Sequence, residues 1–196
     1  MADNHSITEI TDSNKWTSKK LFITIVFSAA TFAASFIIGN AITLAFGPGT
    51  SGIATIIITT ILVVICARIV ETKGVFTLLV FIFTVLAIPT NMFGPPNPLK
   101  IFIGLLTGIV YDLIWNLTGR KKYSLPIAAT ISTMVSILLI YLLLNYLNHP
   151  RKEYLQSILL WLIPVYGILG YIGGIAGDRI YQKSLKRLSI IKQLKA

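Results

Sequence analysis

Long apolar stretches separated by short polar or charged segments dominate the chain. The longest stretches without any charged residue are Leu21–Ala67, Gly74–Leu99, Tyr123–Pro150 and Tyr154–Gly177. A helix needs about 20 mainly apolar residues to cross a hydrocarbon core about 30 Å thick. Stretches of this length need a bilayer as their solvent, so the pattern predicts a polytopic helical membrane protein.

Turn residues and charges divide these stretches into six predicted helices. Proline cannot continue a helix and glycine favours turns, so Gly47–Ser51 and Gly94–Pro98 are predicted loops. The predicted spans are Leu21–Phe46, Gly52–Ala67, Gly74–Met92, Leu99–Leu117, Leu125–Leu147 and Gln156–Ile180. The predicted fold class is therefore an all-α membrane protein with six transmembrane helices.

The basic residues are distributed unevenly between the predicted loops. All but three of the 17 Lys and Arg residues lie in the N-terminal lead, the second and fourth loops and the C-terminal tail. The exceptions are Lys100, Arg151 and Lys152. Because basic loops are retained on the cytoplasmic side, both termini are predicted to lie in the cytoplasm, with the chain in the plasma membrane. The expected organisation is a polar lead (1–20), a six-helix transmembrane domain (21–181) and a basic tail (182–196), the tail a short helical segment at the inner surface.

Composition and charge support the same class. Hydrophobic residues make up 55% of the chain and charged residues 12%, and the mean hydropathy is +0.78. The net charge of +10 follows the alternating loops, which is a pattern of membrane topology and does not indicate a nucleic-acid partner. The first 20 residues carry three acidic side chains and no small-residue cleavage site, so the first span is expected to remain in the mature protein.

Residues that usually carry chemistry inside membranes are scarce. The histidines are His5 and His149, outside the predicted spans, and the single cysteine is Cys66. This excludes bis-histidine haem, an intramembrane zinc site and a Ser–His pair, and no P-loop pattern occurs. We therefore expect a protein that is not an enzyme and holds neither metal nor cofactor.

One acidic residue lies well inside a predicted span. Asp112 is about 18 Å from Lys100 along a helix, towards the predicted cytoplasmic side. It shares a helical stripe with Gly104, Gly108 and Asn116. The residue is either a proton or cation site or a structural partner for a basic residue at the inner helix ends. The candidate partners are Arg68, Arg120 and Arg179.

Small residues form two further patterns. Two overlapping Ala-x-x-x-Ala pairs, made of Ala29, Ala30, Ala33 and Ala34, offer a flat surface to another helix. That helix belongs either to this chain or to a partner subunit. The segment Gly104–Ile114 also matches Gly170–Ile180, with Gly-x-x-x-Gly-x-x-x-Asp in both. Glycine at every fourth position thins one helix face, so these faces are predicted to pack closely.

Polar and aromatic residues recur in the outer half of the first, third, fifth and sixth predicted spans and in the proline-rich loop, on the side away from the cytoplasm. They are Asn40, Thr43, Asn91, Asn97, Asn145, Trp161 and Tyr166. Amides, hydroxyls and aromatic rings suit a small polar organic ligand, because hydrogen bonds orient it while the rings stack on it. The alternative for each residue is an interfacial or helix-capping role. The scarcity of charge in this half argues against a strongly charged solute.

These features together resemble the substrate-binding S component of an energy-coupling factor transporter. The resemblance rests on a chain of 196 residues with six spans, the alanine pairs, the glycine-aspartate motif of the fourth span, and a glycine-rich sixth span that leads into a basic tail. In that family a third alanine continues the motif, whereas Ile37 or Ile38 stands at that position here. Metal-transporting relatives carry histidine after the initiator methionine; Ala2 stands there in this chain, so nickel or cobalt is not implied.

The resemblance implies a function and a set of partners. Such a subunit binds a vitamin or other micronutrient in an outward-facing cavity. It docks through its alanine stripe on a membrane T component that two ATP-binding subunits drive, and it topples in the bilayer to release its solute. We therefore expect a solute-binding subunit for micronutrient uptake. The alternatives are a structural subunit of a membrane complex without its own ligand, and a small proton-coupled carrier that uses Asp112.

Overall fold

The computed structural model describes residues 15–46, 51–119, 121 and 123–185, and the regular structure in these ranges is helical throughout. The helices are α1 (Ser18–Phe46), α2 (Ser51–Val70), α3 (Val75–Ala87), α4 (Lys100–Leu117), α5 (Ser124–Tyr146) and α6 (Arg151–Ile180), and one π-helical turn, Tyr181–Leu185, follows α6. Parts of the predicted lead (1–14), first loop (47–50) and tail (186–196) lie outside the described residues.

The helices coincide with the six predicted segments, and the largest difference at a C-terminal end is in α3. This helix ends at Ala87 and not at Met92 as predicted. The reason is Pro89, which has no backbone N–H to continue the helical hydrogen bonds, so the helix ends at its C-cap Ile88. At its N-terminal end α6 begins at Arg151, five residues earlier than predicted, directly after Pro150, which suits the start of a helix.

Four of these helices are long and apolar enough to cross a membrane. They are Ser18–Phe46, Lys100–Leu117, Ser124–Tyr146 and the continuous helical stretch Lys152–Ser184. Two apolar helices are shorter, Ala54–Val70 and Val75–Ala87. The chain is therefore a membrane protein by the length and composition of its helices.

The six helices form a closed ring in which the order in space differs from the order in the chain. Going around the ring, the neighbours are α1, α2, α6, α5, α4 and α3, and α3 packs against α1 to complete it. Most helices that follow one another in the chain are joined by short connections, so they run in opposite directions. The start of α1, the α2–α3 turn, the α4–α5 turn and the end of α6 lie together at what we call the basic end. The opposite end is called the far end.

The core of the bundle lies near the basic end. It joins the second half of α2 to the first turns of α3 and α5 and the last turns of α4. Phe76 stacks on Tyr111 with ring centroids 3.9 Å apart, and Trp115 meets Phe76 edge-on at 5.3 Å. From Val63 to Val70 every residue of α2 except Arg68 is buried, whereas from Ala54 to Thr59 every residue is only half-buried. Along α2, burial is therefore nearly complete towards the basic end and only partial towards the far end.

Helix α1 turns its small polar residues inward. Its buried positions are Thr24, Ser28, Thr31, Ser35 and Gly39. The hydroxyl of Ser28 donates to the carbonyl of Leu79 in α3 at 2.8 Å, and the Ser35 and Thr59 hydroxyls lie 2.8 Å apart between α1 and α2. Because lipid is as apolar as a protein core, small and hydrogen-bonding residues favour helix contacts while larger aliphatic residues can face lipid.

Candidate functional site

The helix α3 is too short to cross the hydrocarbon core, so free backbone groups at its ends need partners inside the protein. Its 13 residues span about 20 Å at 1.5 Å per residue, against about 30 Å of hydrocarbon. In a bilayer at least one end therefore lies where water cannot satisfy the free backbone groups. Its N-cap is Gly74, which has a φ of 81° and no side chain to cap the helix. Side chains from α4 satisfy both ends.

Asp112 of α4 caps the N-terminus of α3. One oxygen of its carboxylate accepts the backbone N–H of Thr77 at 2.8 Å and the Thr77 hydroxyl at 2.6 Å. The other accepts the N–H of Phe76 at 3.4 Å. Asp112 is 7% exposed, and its negative charge lies at the positive end of the α3 dipole. The residue thus supplies from a neighbouring helix the cap that Gly74 lacks.

Lys100 of α4 occupies the other end of α3. Its ammonium group donates to the carbonyl of Ala87 at 3.2 Å and to that of Thr90 at 2.6 Å. The side chain is fully buried, and within the described ranges no carboxylate pairs with it. Positive charge is favourable at a helix C-terminus. Two side chains of α4 therefore bond to the two ends of antiparallel α3, and their charges are opposite in sign to the ends of its dipole.

The glycines between these two charges let the helices approach closely. A Cβ added at Gly108 would lie 2.5 Å from Thr77 Cα, and one at Gly104 would lie 2.1 Å from the Thr84 hydroxyl. The stripe predicted to pack closely therefore does so against α3. None of the arginines proposed as partners bonds to Asp112 among the described residues, because the open N-terminus of α3 takes the carboxylate instead. Of those arginines, Arg120 lies outside the described residues.

The matching motif in α6 serves a different contact. Gly170 and Gly174 face α5, where added Cβ atoms would lie 2.8 Å from the Ala129 carbonyl oxygen and from Pro126 Cα, respectively. Asp178, the third member of this motif, pairs with Arg68 of α2, with Nε 2.7 Å from Oδ1. Gln182 donates to the other oxygen of the carboxylate at 2.8 Å. The two copies thus share close packing, but one acid caps a helix and the other forms an ion pair.

The seven polar residues predicted to bind a solute are not gathered into one cluster. Asn40, Asn91 and Asn145 are exposed. Trp161 is 77% exposed and lies nine residues, or about 2.5 helical turns, from buried Gly170, so it points away from the bundle. Thus neither these asparagines nor the tryptophan lies between packed helices.

The remaining three of the seven are half-buried. The Thr43 hydroxyl donates to the carbonyl of Gly39, within its own helix, at 2.9 Å. The Asn97 side chain accepts the N–H of Leu99 at 2.8 Å, in the segment that leads into α4. Tyr166 of α6 reaches the start of α2, where its hydroxyl would lie 2.7 Å from a Cβ added at Gly52. Of the seven, Tyr166 is the one that the structure places between two helices of the ring.

The alanine stripe is uncovered in the single chain. Ala29, Ala30 and Ala33 are exposed and Ala34 is half-buried. Ala29, Ala30 and Ala33 therefore point away from the neighbouring helices in the part of the chain that the structure describes.

Two buried hydroxyls that the sequence analysis passed over lack a hydrogen-bond partner in the described part of the chain. They belong to Tyr111 of α4 and Ser132 of α5, which are 4% and 1% exposed. The hydroxyl of half-buried Thr107, one turn from Tyr111, also lacks one. Ser132 and Thr107 lie about 12 and 15 Å from the basic ends of their helices at 1.5 Å per residue. A tyrosine on a helix points towards the N-terminus, which for Tyr111 is the direction of Thr107.

By helix rise, Thr107 and Ser132 therefore lie at a similar depth, and the side chain of Tyr111 points towards that level. The local sequence carries no signal for them, because whether a buried hydroxyl finds a partner depends on residues far apart in the chain. An unpaired buried hydroxyl costs free energy unless water or a ligand satisfies it.

Comparison with protein-family models, with curated proteins and with solved structures finds no match to this chain.

Proposed function

We propose that the protein is a solute-binding membrane subunit of a micronutrient uptake transporter, similar to the S component of an energy-coupling factor transporter. In this proposal the chain crosses the plasma membrane six times with both termini in the cytoplasm. It binds a vitamin-like organic solute in the half of the bundle towards the far end. A membrane T component and ATP-binding subunits then energise release.

The observation that carries the proposal is the pair of unpartnered hydroxyls at the boundary of the core. A ligand with hydrogen-bonding groups that enters from the far end would meet Tyr111 and Ser132 as its floor. Ligand pockets are mainly apolar with a few convergent polar groups, and two or three hydroxyls among aliphatic side chains fit that chemistry. Tyr166 contributes an aromatic wall between α6 and α2.

Two further features support this assignment. The basic end is filled by the aromatic core, so a solute bound beyond the core is closed off from that side until the subunit moves. The uncovered alanine face on α1 offers a close-packing surface for a partner helix. The same face also favours the second candidate function, a structural subunit without its own ligand.

Substitutions that remove only the hydroxyl groups test the proposal. Tyr111→Phe and Ser132→Ala delete atoms that bond to nothing in the described chain, so the ligand-free protein should be as stable as wild type or slightly more so. Binding of the solute should weaken by roughly 10-fold for each lost hydrogen bond left uncompensated. Tyr171→Phe, at an exposed position of α6, is the matched control.

The measurement is native mass spectrometry of the mildly purified full chain, which reports both a retained small molecule and any attached subunits. Retention by wild type and Tyr171→Phe, with reduced retention in Tyr111→Phe and Ser132→Ala, supports the solute-binding function. A chain that carries no small molecule but stays bound to other membrane subunits in every variant would favour the structural subunit.

A further inference from the structure

A groove on the outside of the bundle lies beside the start of α3. Its volume is about 550 Å³, and its lining includes Trp16, Leu21, Gly74, Leu78, Phe81 and Leu105. The groove lies where the short helix α3 sits between α1 and α4 in the ring. A Cβ added at Gly74 would meet no atom within 4 Å, so this side of the helix start is open space.

Trp16 marks the level of the groove in the bilayer. Its indole N–H donates to the carbonyl of Lys73 at 3.1 Å, which holds the segment before α1 against the α2–α3 turn. Tryptophan prefers the membrane interface, where its ring is apolar and its N–H meets polar groups. The groove therefore runs from the head-group level down into the hydrocarbon along Leu78 and Phe81.

Three lysines lie next to lining residues of the groove in the chain. Lys15, Lys20 and Lys73 directly precede the lining residues Trp16, Leu21 and Gly74. The ammonium group of Lys20 donates to the carbonyl of Lys15 at 3.3 Å, which places that charge beside Trp16. The nearby acids are Glu71, which is half-buried in the same turn, and Asp112, whose carboxylate caps α3. The net charge of these residues is positive.

We propose that this groove is a binding site for an anionic phospholipid. One acyl chain lies along Leu21, Leu78, Phe81 and Leu105, and the phosphate lies among the lysines beside Trp16. A volume of about 550 Å³ falls within the roughly 300–1,000 Å³ of typical ligand pockets. An anionic head group is favoured because each lysine near it adds electrostatic attraction. This site is on the outer surface and does not depend on the solute-binding function proposed above.

The single cysteine provides the readout for a test. Cys66 is fully buried in α2, so a thiol-reactive fluorophore labels it when the protein unfolds. The full chain, purified in detergent and stripped of lipid, is heated with phosphatidylglycerol or phosphatidylcholine of equal chain length. We expect phosphatidylglycerol to raise the labelling midpoint at lower concentration than phosphatidylcholine does.

Matched variants locate the site. Leu78→Trp fills the groove and should abolish the preference for phosphatidylglycerol, whereas Leu138→Trp on exposed α5 surface should keep it. Lys73→Gln should weaken the apparent affinity roughly fivefold, as expected for one lysine beside an anionic lipid. Lys183→Gln, at an exposed lysine of the π-helical turn after α6, should leave it unchanged.

Three results would overturn the proposal. Equal weakening by Lys183→Gln would show diffuse surface charge without a site. An equal midpoint rise with glycerol 3-phosphate would show an anion site without an acyl chain. Full retention of the lipid preference in Leu78→Trp would exclude the groove.

Discussion

Replacement of Asp112 separates a structural carboxylate from a transport site. Asp112→Ala removes three hydrogen bonds to the start of α3, of which the two to Thr77 are short, at 2.8 and 2.6 Å. Hydrogen bonds between membrane helices are worth about 0.6 kcal/mol on average and up to about 1.7 kcal/mol. The acceptor here is the buried, charged carboxylate of Asp112, so free energies near the upper value apply to each bond.

The expected loss of unfolding free energy is about 3 kcal/mol for Asp112→Ala. Asp112→Asn keeps one carbonyl oxygen for the Thr77 N–H and should lose only about 1 kcal/mol. Thr77→Val removes the hydroxyl alone, and the double variant Asp112→Ala with Thr77→Val should lose less than the sum of the singles, by about 1 kcal/mol.

Titration with a denaturing detergent, read through Cys66 labelling, measures these free energies. The reasoning fails if Asp112→Ala is as stable as wild type, or if the two single losses add fully. If Asp112→Asn keeps the stability of wild type but no longer transports solute in proteoliposomes, the result would favour the proton-coupled carrier. The cap predicts the reverse, a stability loss without a specific transport defect.

Three other contacts make testable predictions. Lys100→Met should speed amide hydrogen exchange in residues 88–99 by roughly tenfold, because the carbonyls of Ala87 and Thr90 lose their donor. Exchange in α1 should not change. Equal exchange of residues 88–99 in both proteins would refute the C-terminal cap. Gly108→Ala should lower the free energy of unfolding by about 2 kcal/mol, because the new Cβ would meet the backbone of α3. Gly52→Ala should cost less, because its Cβ would meet only the end of a tyrosine side chain. The reverse order of the Cys66 labelling midpoints would contradict this packing. Arg68→Met and Asp178→Asn should each cost about 1 to 3 kcal/mol, and a double-mutant cycle that shows no coupling would argue against their ion pair.

The sequence predicted the positions of the helices well, because the signals for helix ends are local. Prolines, glycines and charged turns interrupt the apolar runs wherever a helix ends, and the fourth helix ends at the predicted Leu117. The close packing of the Gly104 and Gly108 face was also predictable, since a backbone without side chains can approach a neighbour wherever it faces one. Asp112 contacts the start of α3, and of the three arginines suggested as its partners the two that the structure describes, Arg68 and Arg179, do not bond to it.

The tertiary structure decided which side of each helix faces inward. In water the apolar face of a helix is buried, but in lipid both surroundings of a membrane helix are apolar, so hydropathy does not distinguish inside from outside. Helix α1 therefore buries Ser28 and exposes Ala29, and α6 directs Trp161 away from the bundle. Asp112 bonds to Thr77, which lies 35 positions away in the chain. The hydroxyl of Tyr111 remains unpaired because no distant residue of the described chain reaches it. Local spacing in the sequence contains no information about such contacts between distant positions.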